Sequence, residues 1–224
     1  MMILKIAAVV GVIGLVLFIG QWLIGRYSKD NEQLRKLVHV LHGSGIAVLA
    51  FLVPLDVVVG IELFILVSMF IARYLFEHFS RIAWIRYCGQ VYNVGRISYG
   101  EFFFPLSAVA LAYLADSKWE FAAAMLILGV ADAVAALVGK KYGKKNGYLV
   151  FGQKKSIAGS SAFFVAAFFI ILAFSVLHGA ALGDVAFGVV VLTAGLVTIA
   201  ENLGVYGSDN LLIPIVAVLL LNRF

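Results

Sequence analysis

The stretch that decides the fold is residues 119–138, WEFAAAMLILGVADAVAALV. An α-helix needs about 20 predominantly apolar residues to cross the hydrocarbon core of a bilayer, and this stretch matches that length. Beyond Glu120 at its start, its only charged residue is Asp132. The pattern predicts a transmembrane helix that carries one carboxylate.

Seven further apolar runs surround this stretch. The chain is 63% hydrophobic and 13% charged, whereas a soluble domain is about 45–50% apolar and about 25% charged. The sequence therefore predicts an all-α, polytopic membrane helix bundle forming a single domain over residues 1–224, with about seven or eight transmembrane helices. The two runs at 102–115 and 211–221 are short for a full span. The seven runs lie at about 3–25, 37–53, 57–75, 102–115, 157–177, 185–200 and 211–221.

The basic residues predict the orientation. Segments 26–36, 73–96 and 140–155 hold most of the 17 Lys and Arg. With eight spans these segments and the loop 201–210 fall on one side, which the positive-inside rule makes cytosolic. Aromatic residues alternate with arginines in 76–100, which favours an interfacial helix at headgroup depth. The net charge of +5 does not indicate nucleic-acid binding, because there is no basic helix or aromatic platform.

The first polar cluster on that side is Arg35-Lys36, followed by two histidines. On a helix beginning near residue 34, Arg35, His39 and His42 share one face, because positions three and four apart are neighbours. A basic pair before a span is commonly a topology anchor. Histidine can also bind an anion, hold a metal or move a proton near neutral pH.

Two acids begin or lie within the apolar runs. Glu101 either complements a helix dipole from the first turn or has a functional role. Asp132 lies roughly 12 Å along the helix from Lys140. An unpaired carboxylate at that depth costs several kcal/mol, so Asp132 should face a partner, a metal or a water-filled cleft. Small residues at 131, 135 and 139 predict close helix packing beside it.

The lysine-rich segment ends in Lys154-Lys155-Ser156. Ser156 is the expected N-cap of the next helix, and a helix N-terminus beside two lysines favours an anion site. Gly159 is expected to let a ligand approach the backbone. The segment lacks the GxxxxGK[ST] pattern of P-loop proteins.

A fourth cluster places Glu201 and Asp209 on either side of a short glycine-containing loop. Such oxygen ligands suit Mg²⁺, which takes one or two carboxylates together with phosphates. Helix capping by Asp209 is the alternative. Together the four clusters predict a metal–phosphate site that faces the cytosol and opens sideways to lipid.

These motifs resemble the CTP-dependent lipid-alcohol kinases, which comprise phytol, farnesol and dolichol kinases and the yeast-type diacylglycerol kinase and are related to phosphatidate cytidylyltransferases. The resemblance covers about residues 34–221. Ala131 stands where the family usually has glycine before the key aspartate. The matching elements are 35–39 (RKLVH), 99–106 (YGEFFFPL), 132–135 (DAVA) with Gly139 and Gly143, 155–160 (KSIAGS), and Glu201-Asn202 with Asp209-Asn210 and Pro214.

The resemblance implies transfer of the γ-phosphoryl group of CTP, or of ATP, to the hydroxyl of a membrane lipid alcohol, with Mg²⁺. It implies catalytic roles for Asp132, Glu101 and Asp209, and metal binding by Asp132, Glu201 and Asp209. Two alternatives stay open: CDP-lipid synthesis like that of a cytidylyltransferase, and a small non-enzymatic membrane transporter. The implied nucleotide- and phosphate-binding residues are Arg35, Lys36, His39, Gly139, Gly143, Lys154, Lys155, Ser156, Gly159 and Ser160.

Overall fold

The computed structural model describes residues 31–79, 81, 99–177 and 187–222. This part of the chain is mostly helical. The apolar run at 3–25 and most of the predicted interfacial helix at 76–100 lie outside it; residues 76–79 end a long helix, and residue 100 begins the next. The helices are α1 (Asn31–Leu52), α2 (Leu55–Phe79), α3 (Gly100–Leu114), α4 (Lys118–Leu126), α5 (Asp132–Tyr142), α6 (Ile157–Leu177), α7 (Phe187–Leu203) and α8 (Asp209–Leu221).

Within the part of the chain that the structure describes, three helical stretches are long and apolar enough to cross a membrane: Leu55–Leu75, Lys118–Lys145 and Ile157–Leu177. The second stretch contains α4, a π-helical segment (Ile127–Ala131) and α5 in continuous succession. Four shorter apolar helices accompany them, at Lys36–Leu52, Gly100–Leu114, Phe187–Leu203 and Asp209–Leu221. Each of these coincides with a run expected from the sequence.

The outside of the bundle keeps apolar stripes that no other part of the described chain covers. On α2 the stripe comprises Leu63, Val67 and Phe70, and on α6 it includes Val165 and Phe169. Spacings of three and four residues place each set on one helix face. Exposed apolar area of this kind marks a surface that contacts lipid or another protein. Together with the membrane-length helices, it indicates a membrane protein.

Helix α4 forms the centre of the bundle, where Phe121–Met125 is buried on every side. A helix that is apolar all round is expected in such a position. Just beyond it, Gly129 meets Gly43 of α1: a Cβ on Gly43 would lie 2.9 Å from the Met125 carbonyl oxygen, and one on Gly129 would lie 3.0 Å from that of His39. Both glycines therefore allow the two helices to cross closely.

Contacts at the two ends indicate that successive helices run in alternating directions, with α4 and α5 counted as one continuous helix. At one end, Lys118 Nζ donates to the Val53 carbonyl at 3.0 Å, and Asn222 Nδ2 donates to the Leu114 carbonyl at 2.8 Å. At the other end, the Tyr99 amide donates to the Tyr206 carbonyl at 2.9 Å. Members of three of the polar clusters predicted to share one side, among them Lys36, Asp132, Lys155 and Asp209, line a cavity that is described below.

The segment between α5 and α6 differs from the all-α prediction. After a 3₁₀ turn (Gly143–Lys145), strands β1 (Gly147–Val150) and β2 (Gln153–Ser156) form an antiparallel hairpin. Two residues, Phe151 and Gly152, make the turn with φ of +46° and +78°. Positive φ at both positions is typical of the type I′ turn, whose twist matches that of paired strands. The segment predicted as a loop therefore forms two paired strands, joined by a two-residue turn.

Candidate functional site

A cavity of about 760 Å³ opens at the polar end of the bundle. Its volume is within the range of small-molecule sites, about 300–1,000 Å³. The walls come from α1, α5, the hairpin, the start of α6 and the loop before α8. The predicted site residues that line it are Lys36, Asp132, Gly139, Gly143, Lys154, Lys155, Ser156, Gly159, Ser160 and Asp209.

Asp132 lies on the cavity wall in an ion pair with Lys36 of α1, whose Nζ donates to Asp132 Oδ2. Asp132 is 3% exposed and Lys36 is 6% exposed. His39 Nδ1 lies 3.9 Å from the same carboxylate oxygen. Lys36 is therefore the partner that Asp132 was expected to need at this depth. Since both members of the pair line the cavity, a ligand there can contact the pair directly.

The helix is irregular immediately before Asp132. The π-helical segment Ile127–Ala131 separates α4 from α5 and ends at the residue preceding the aspartate. Isolated π-helical turns occur frequently at functional sites, because they shift the register of the side chains that follow. No residue in this apolar stretch distinguishes a π turn from an α turn, so the π-helical segment could not be predicted from the sequence.

Lys155 and Glu201 form a second, partly buried ion pair between the hairpin and α7. Lys155 Nζ donates to the Glu201 carboxylate, and also to its backbone carbonyl at 2.8 Å. Lys155 lines the cavity, whereas Glu201 is buried behind it and does not. Glu201 therefore holds the lysine in place, and the structure does not bring it to the cavity as the metal ligand that was predicted.

The start of α6 has the cap expected from the sequence. Ser156 Oγ accepts a hydrogen bond from the Gly159 amide at 3.1 Å, so Ser156 is the N-cap. A Cβ on Gly159 would lie 3.1 Å from the Ala135 carbonyl oxygen, and one on Gly143 would lie 2.5 Å from Ser156 Oγ. These glycines thus let α5 and the 3₁₀ turn that follows it pack tightly against α6. For Gly159 this packing is a structural reason for glycine in addition to its place in the cavity lining.

A hydrogen-bond network that sequence reasoning missed fixes the hairpin to the bundle. The Tyr148 hydroxyl contacts Ser160 Oγ at 2.7 Å and donates to Asn202 Oδ1. Ser160 Oγ also donates to Asn202 Oδ1, at 3.1 Å. Tyr148 and Asn202 are 54 positions apart, and no sequence pattern joins them. With the Lys155–Glu201 pair, this network sets the position of the cavity wall.

Besides Glu201, two further predicted site residues, Glu101 and His39, are not among those that line the cavity. Glu101 is paired with Arg73 of α2, with Nη1 and Oε1 2.8 Å apart. His39 is buried behind Asp132 and its ring lies 4.9 Å from that of Phe104. Arg35 precedes Lys36 in α1, but its side chain lies outside the described part of the structure.

His42 and Glu62 form a further buried pair, away from the cavity. His42 Nε2 lies 2.9 Å from Glu62 Oε1, and the His42 ring stacks on Phe104 with centroids 4.8 Å apart. Glu62 is fully buried, and its other carboxylate oxygen, Oε2, has no hydrogen-bond partner among the described residues. His42 therefore contacts α2 rather than joining an anion site, and the sequence analysis overlooked Glu62.

The carboxylates that line the cavity are enough to hold a magnesium ion only when a bound ligand supplies further oxygen atoms. Among the described residues, no group of three or more His, Cys, Asp or Glu side chains is close enough to hold a metal. Asp132 and Asp209 both line the cavity. Mg²⁺ commonly takes one or two protein carboxylates and completes its shell with phosphate oxygens and water. The donor set is therefore compatible with magnesium bound to a phosphorylated ligand.

The cavity has a surplus of positive charge. Its lining includes two carboxylates, Asp132 and Asp209, against five lysines. A cleft lined mainly by one sign of charge concentrates ligands of the opposite sign. The arrangement therefore suits a polyanion. The five lysines are Lys36, Lys140, Lys144, Lys154 and Lys155.

Comparison of the chain with known protein families, curated proteins and solved structures found no match. The chemistry of the site therefore has to be inferred from its residues and their geometry.

Proposed function

We propose that this chain is an integral membrane kinase that transfers the γ-phosphoryl group of CTP, or of ATP, to the hydroxyl of a membrane lipid alcohol. One observation carries the proposal. Side chains from distant parts of the sequence line one cavity that combines five lysines, two carboxylates and the N-terminus of a long helix. Phosphoryl transfer requires these parts, because its catalysis depends mainly on positioning and charge neutralisation.

The triphosphate lies between the hairpin and the first turn of α6. Lys154 and Lys155 precede the helix, whose N-terminal dipole favours an anion. The Glu201 carboxylate fixes Lys155, so this cation loses little conformational freedom when a phosphate binds. Lys140, which also lines the cavity, adds charge for the remaining phosphate oxygens.

Asp132 acts on the acceptor. The lipid hydroxyl oxygen bonds to the γ-phosphorus, the bond from that phosphorus to the β–γ bridging oxygen breaks, and the nucleoside diphosphate leaves with the electron pair. The hydroxyl proton passes to the Asp132 carboxylate. Lys36 holds this carboxylate at the cavity wall and offsets its charge beside the phosphates.

Magnesium fits the same cavity. Asp209 would hold it together with phosphate oxygens, as magnesium sites with few protein ligands do. When bound, the ion neutralises charge on the transferring phosphate. Asp209 belongs to the first turn of α8 and lines the cavity opposite the hairpin wall.

The membrane arrangement proposed with this activity has seven or eight transmembrane helices and a cytosolic cavity. The positive-inside distribution of the loops supports that orientation, and a cytosolic cavity has access to nucleotides. The acceptor is a phytol, polyprenol or diacylglycerol whose chain stays in the bilayer. Its hydroxyl reaches the cavity from the side, since the apolar outer stripes keep the bundle embedded in lipid.

The test is a phosphoryl-transfer screen with the purified protein in lipid vesicles. γ-Labelled CTP or ATP is supplied with Mg²⁺ and, in turn, phytol, geranylgeraniol, dolichol or diacylglycerol. We expect label in one lipid product and release of the nucleoside diphosphate. Release of pyrophosphate with a CDP-lipid would instead establish a cytidylyltransferase. No transfer with any pair would contradict the proposal.

A matched pair of lysine variants controls the screen. Lys155→Met removes a cavity lysine and should abolish most of the transfer. Lys118→Met removes a lysine at the opposite end, where its ammonium group bonds the Val53 carbonyl, and should leave transfer within a few-fold of the wild type. Equal activities of the two variants would show that the measured transfer does not depend on this cavity.

A further inference from the structure

The hairpin presents an apolar face to the outside of the protein. Phe151 at its tip is 75% exposed, and Leu149 at the cavity rim is 69% exposed. Leu149 is directly opposite Lys154 in the strand register, and Lys154 is also exposed. The inward face is occupied, because Tyr148 and Lys155 are bonded to α6 and α7. Because Tyr148 and Lys155 hold one face of the hairpin against the helices, Leu149 on the other face points outward.

The tip keeps a bulky aromatic residue where the backbone disfavours it. Phe151 has φ of +46° in a two-residue turn completed by Gly152 at +78°. Asn, Asp and Gly are preferred at the first position of such a turn, and a bulky residue with positive φ is a genuine outlier. Backbone strain of this kind persists where the side chain has a use. Since the Phe151 ring is exposed, that use is a contact with something outside the described part of the chain.

The sequence around the tip is strongly basic. Residues 140–160 contain six lysines and neither Asp nor Glu. Lys144 and Lys145, in the 3₁₀ turn just before β1, are both exposed. Apolar side chains surrounded by lysines are the combination that binds an anionic lipid surface, in which the rings enter the acyl boundary and the ammonium groups meet the headgroups.

We propose that the exposed face of this hairpin, formed by Leu149 and Phe151, docks on anionic headgroups of the bilayer in which the protein is embedded. Leu149 and Phe151 reach the acyl boundary, and Lys144 and Lys145 contact the headgroups beside them. The hairpin is a wall of the cavity, so its docking places the cavity rim at the lipid surface. The proposal depends on the chain being a membrane protein and not on its kinase activity.

Nitroxide labels test the proposal without an activity assay. Leu149→Cys is labelled in a Cys88→Ser background and reconstituted in vesicles of phosphatidylcholine with about a third phosphatidylglycerol. Collisions of the label with oxygen, which partitions into lipid, are compared with collisions with a water-soluble nickel chelate. Labels at Phe169→Cys, on the apolar stripe of α6, and at Lys144→Cys serve as the lipid and surface references.

The label at position 149 should favour oxygen over the nickel chelate severalfold more than the label at position 144 does. Phe151→Asn should move the label at 149 toward the surface reference, although asparagine suits the turn better and keeps the hairpin folded. Vesicles of phosphatidylcholine alone should weaken the lipid signature. A label at 149 that matches the surface reference in both kinds of vesicle would overturn the docking, and equal depth in both would overturn the choice of an anionic partner.

Discussion

Two buried charge pairs lie within two turns of each other along α1, and they have different surroundings. Lys36 bonds Asp132, and both line a large cavity. His42 bonds Glu62, and both are enclosed by apolar helices with Phe104 stacked on the histidine ring. Burial is nearly complete in both pairs, so the difference between them is access for a ligand.

This comparison teaches that a buried charge alone does not identify a functional site. A buried ion pair is weak support for stability, since desolvation offsets most of its attraction, and both pairs carry that cost. Only the Lys36–Asp132 pair can exchange part of its bonding with a ligand, since it faces the cavity. We therefore expect variants of this pair to change chemistry and variants of the His42–Glu62 pair to change stability.

The largest effect is expected for Asp132→Asn. The substitution keeps the shape of the side chain but removes the carboxylate that accepts the hydroxyl proton. A positioned acid or base contributes about 10²–10⁴-fold to a rate, so phosphoryl transfer to the lipid should fall by about that factor. Glu62→Gln, which makes the same chemical change in the deep pair, should keep activity within a few-fold. Comparable losses in both variants would remove the distinction between the two pairs.

The next largest effect is on stability, at the deep pair. His42→Leu leaves the Glu62 carboxylate buried without its partner, which should cost about 3–5 kcal/mol. Replacing both residues by leucine should recover most of that loss, because an apolar pair needs no solvation. Unfolding of the purified variants in detergent gives the comparison. A double variant as unstable as His42→Leu would show that Glu62 is not the source of the cost.

A smaller effect on nucleotide affinity is expected from Lys155→Met. A hydrogen bond to a charged group is worth about 1.5–3 kcal/mol, so the KM for the nucleotide should rise by about ten- to a hundredfold. The same variant leaves Glu201 unpaired and lowers stability. Adding Glu201→Gln should restore the stability but not the KM. Recovery of both by the double variant would assign Lys155 a structural role alone.

The smallest effect is expected from Tyr148→Phe, which removes the hydroxyl shared by Ser160 and Asn202. The cost should be about 1 kcal/mol, typical of one intramolecular hydrogen bond. Ser160→Ala disturbs the same network, so the two changes together should cost less than the sum of the single changes. Strict additivity in thermal unfolding would indicate that the three side chains act independently.

Much of the fold follows from the sequence because the apolar runs are separated by clearly polar or charged segments, which mark where the helices end. The helices α2 and α6 coincide with the runs at 57–75 and 157–177 to within a few residues at most boundaries. The hairpin was missed because its strands are four residues each and rich in lysine and glycine. Its stability comes from tertiary bonds made by Tyr148 and Lys155, which no local pattern contains.

The sequence predicted which segments meet at the candidate site but not which side chains pair with one another there. Sequence reasoning placed Asp132, Lys155 and Asp209 together, because alternating helices bring their segments to one end. It could not tell which acids face the cavity, since that depends on helix rotation. Glu201 turned out to lie behind Lys155, and Glu101 lies beside Arg73. Lys36 was expected to bind nucleotide or phosphate, and its bond to Asp132 depends on the close crossing of α1 over the π-helical segment.

Equilibrium binding of CTP with Mg²⁺ to the protein in vesicles tests most directly whether the cavity holds a triphosphate. Wild-type protein and the variant His42→Leu/Glu62→Leu should bind the nucleotide with equal affinity, and Lys155→Met/Glu201→Gln should bind it about ten- to a hundredfold more weakly. Equal affinity in all three proteins, or no binding by the wild type to either CTP or ATP, would contradict a phosphate site in this cavity.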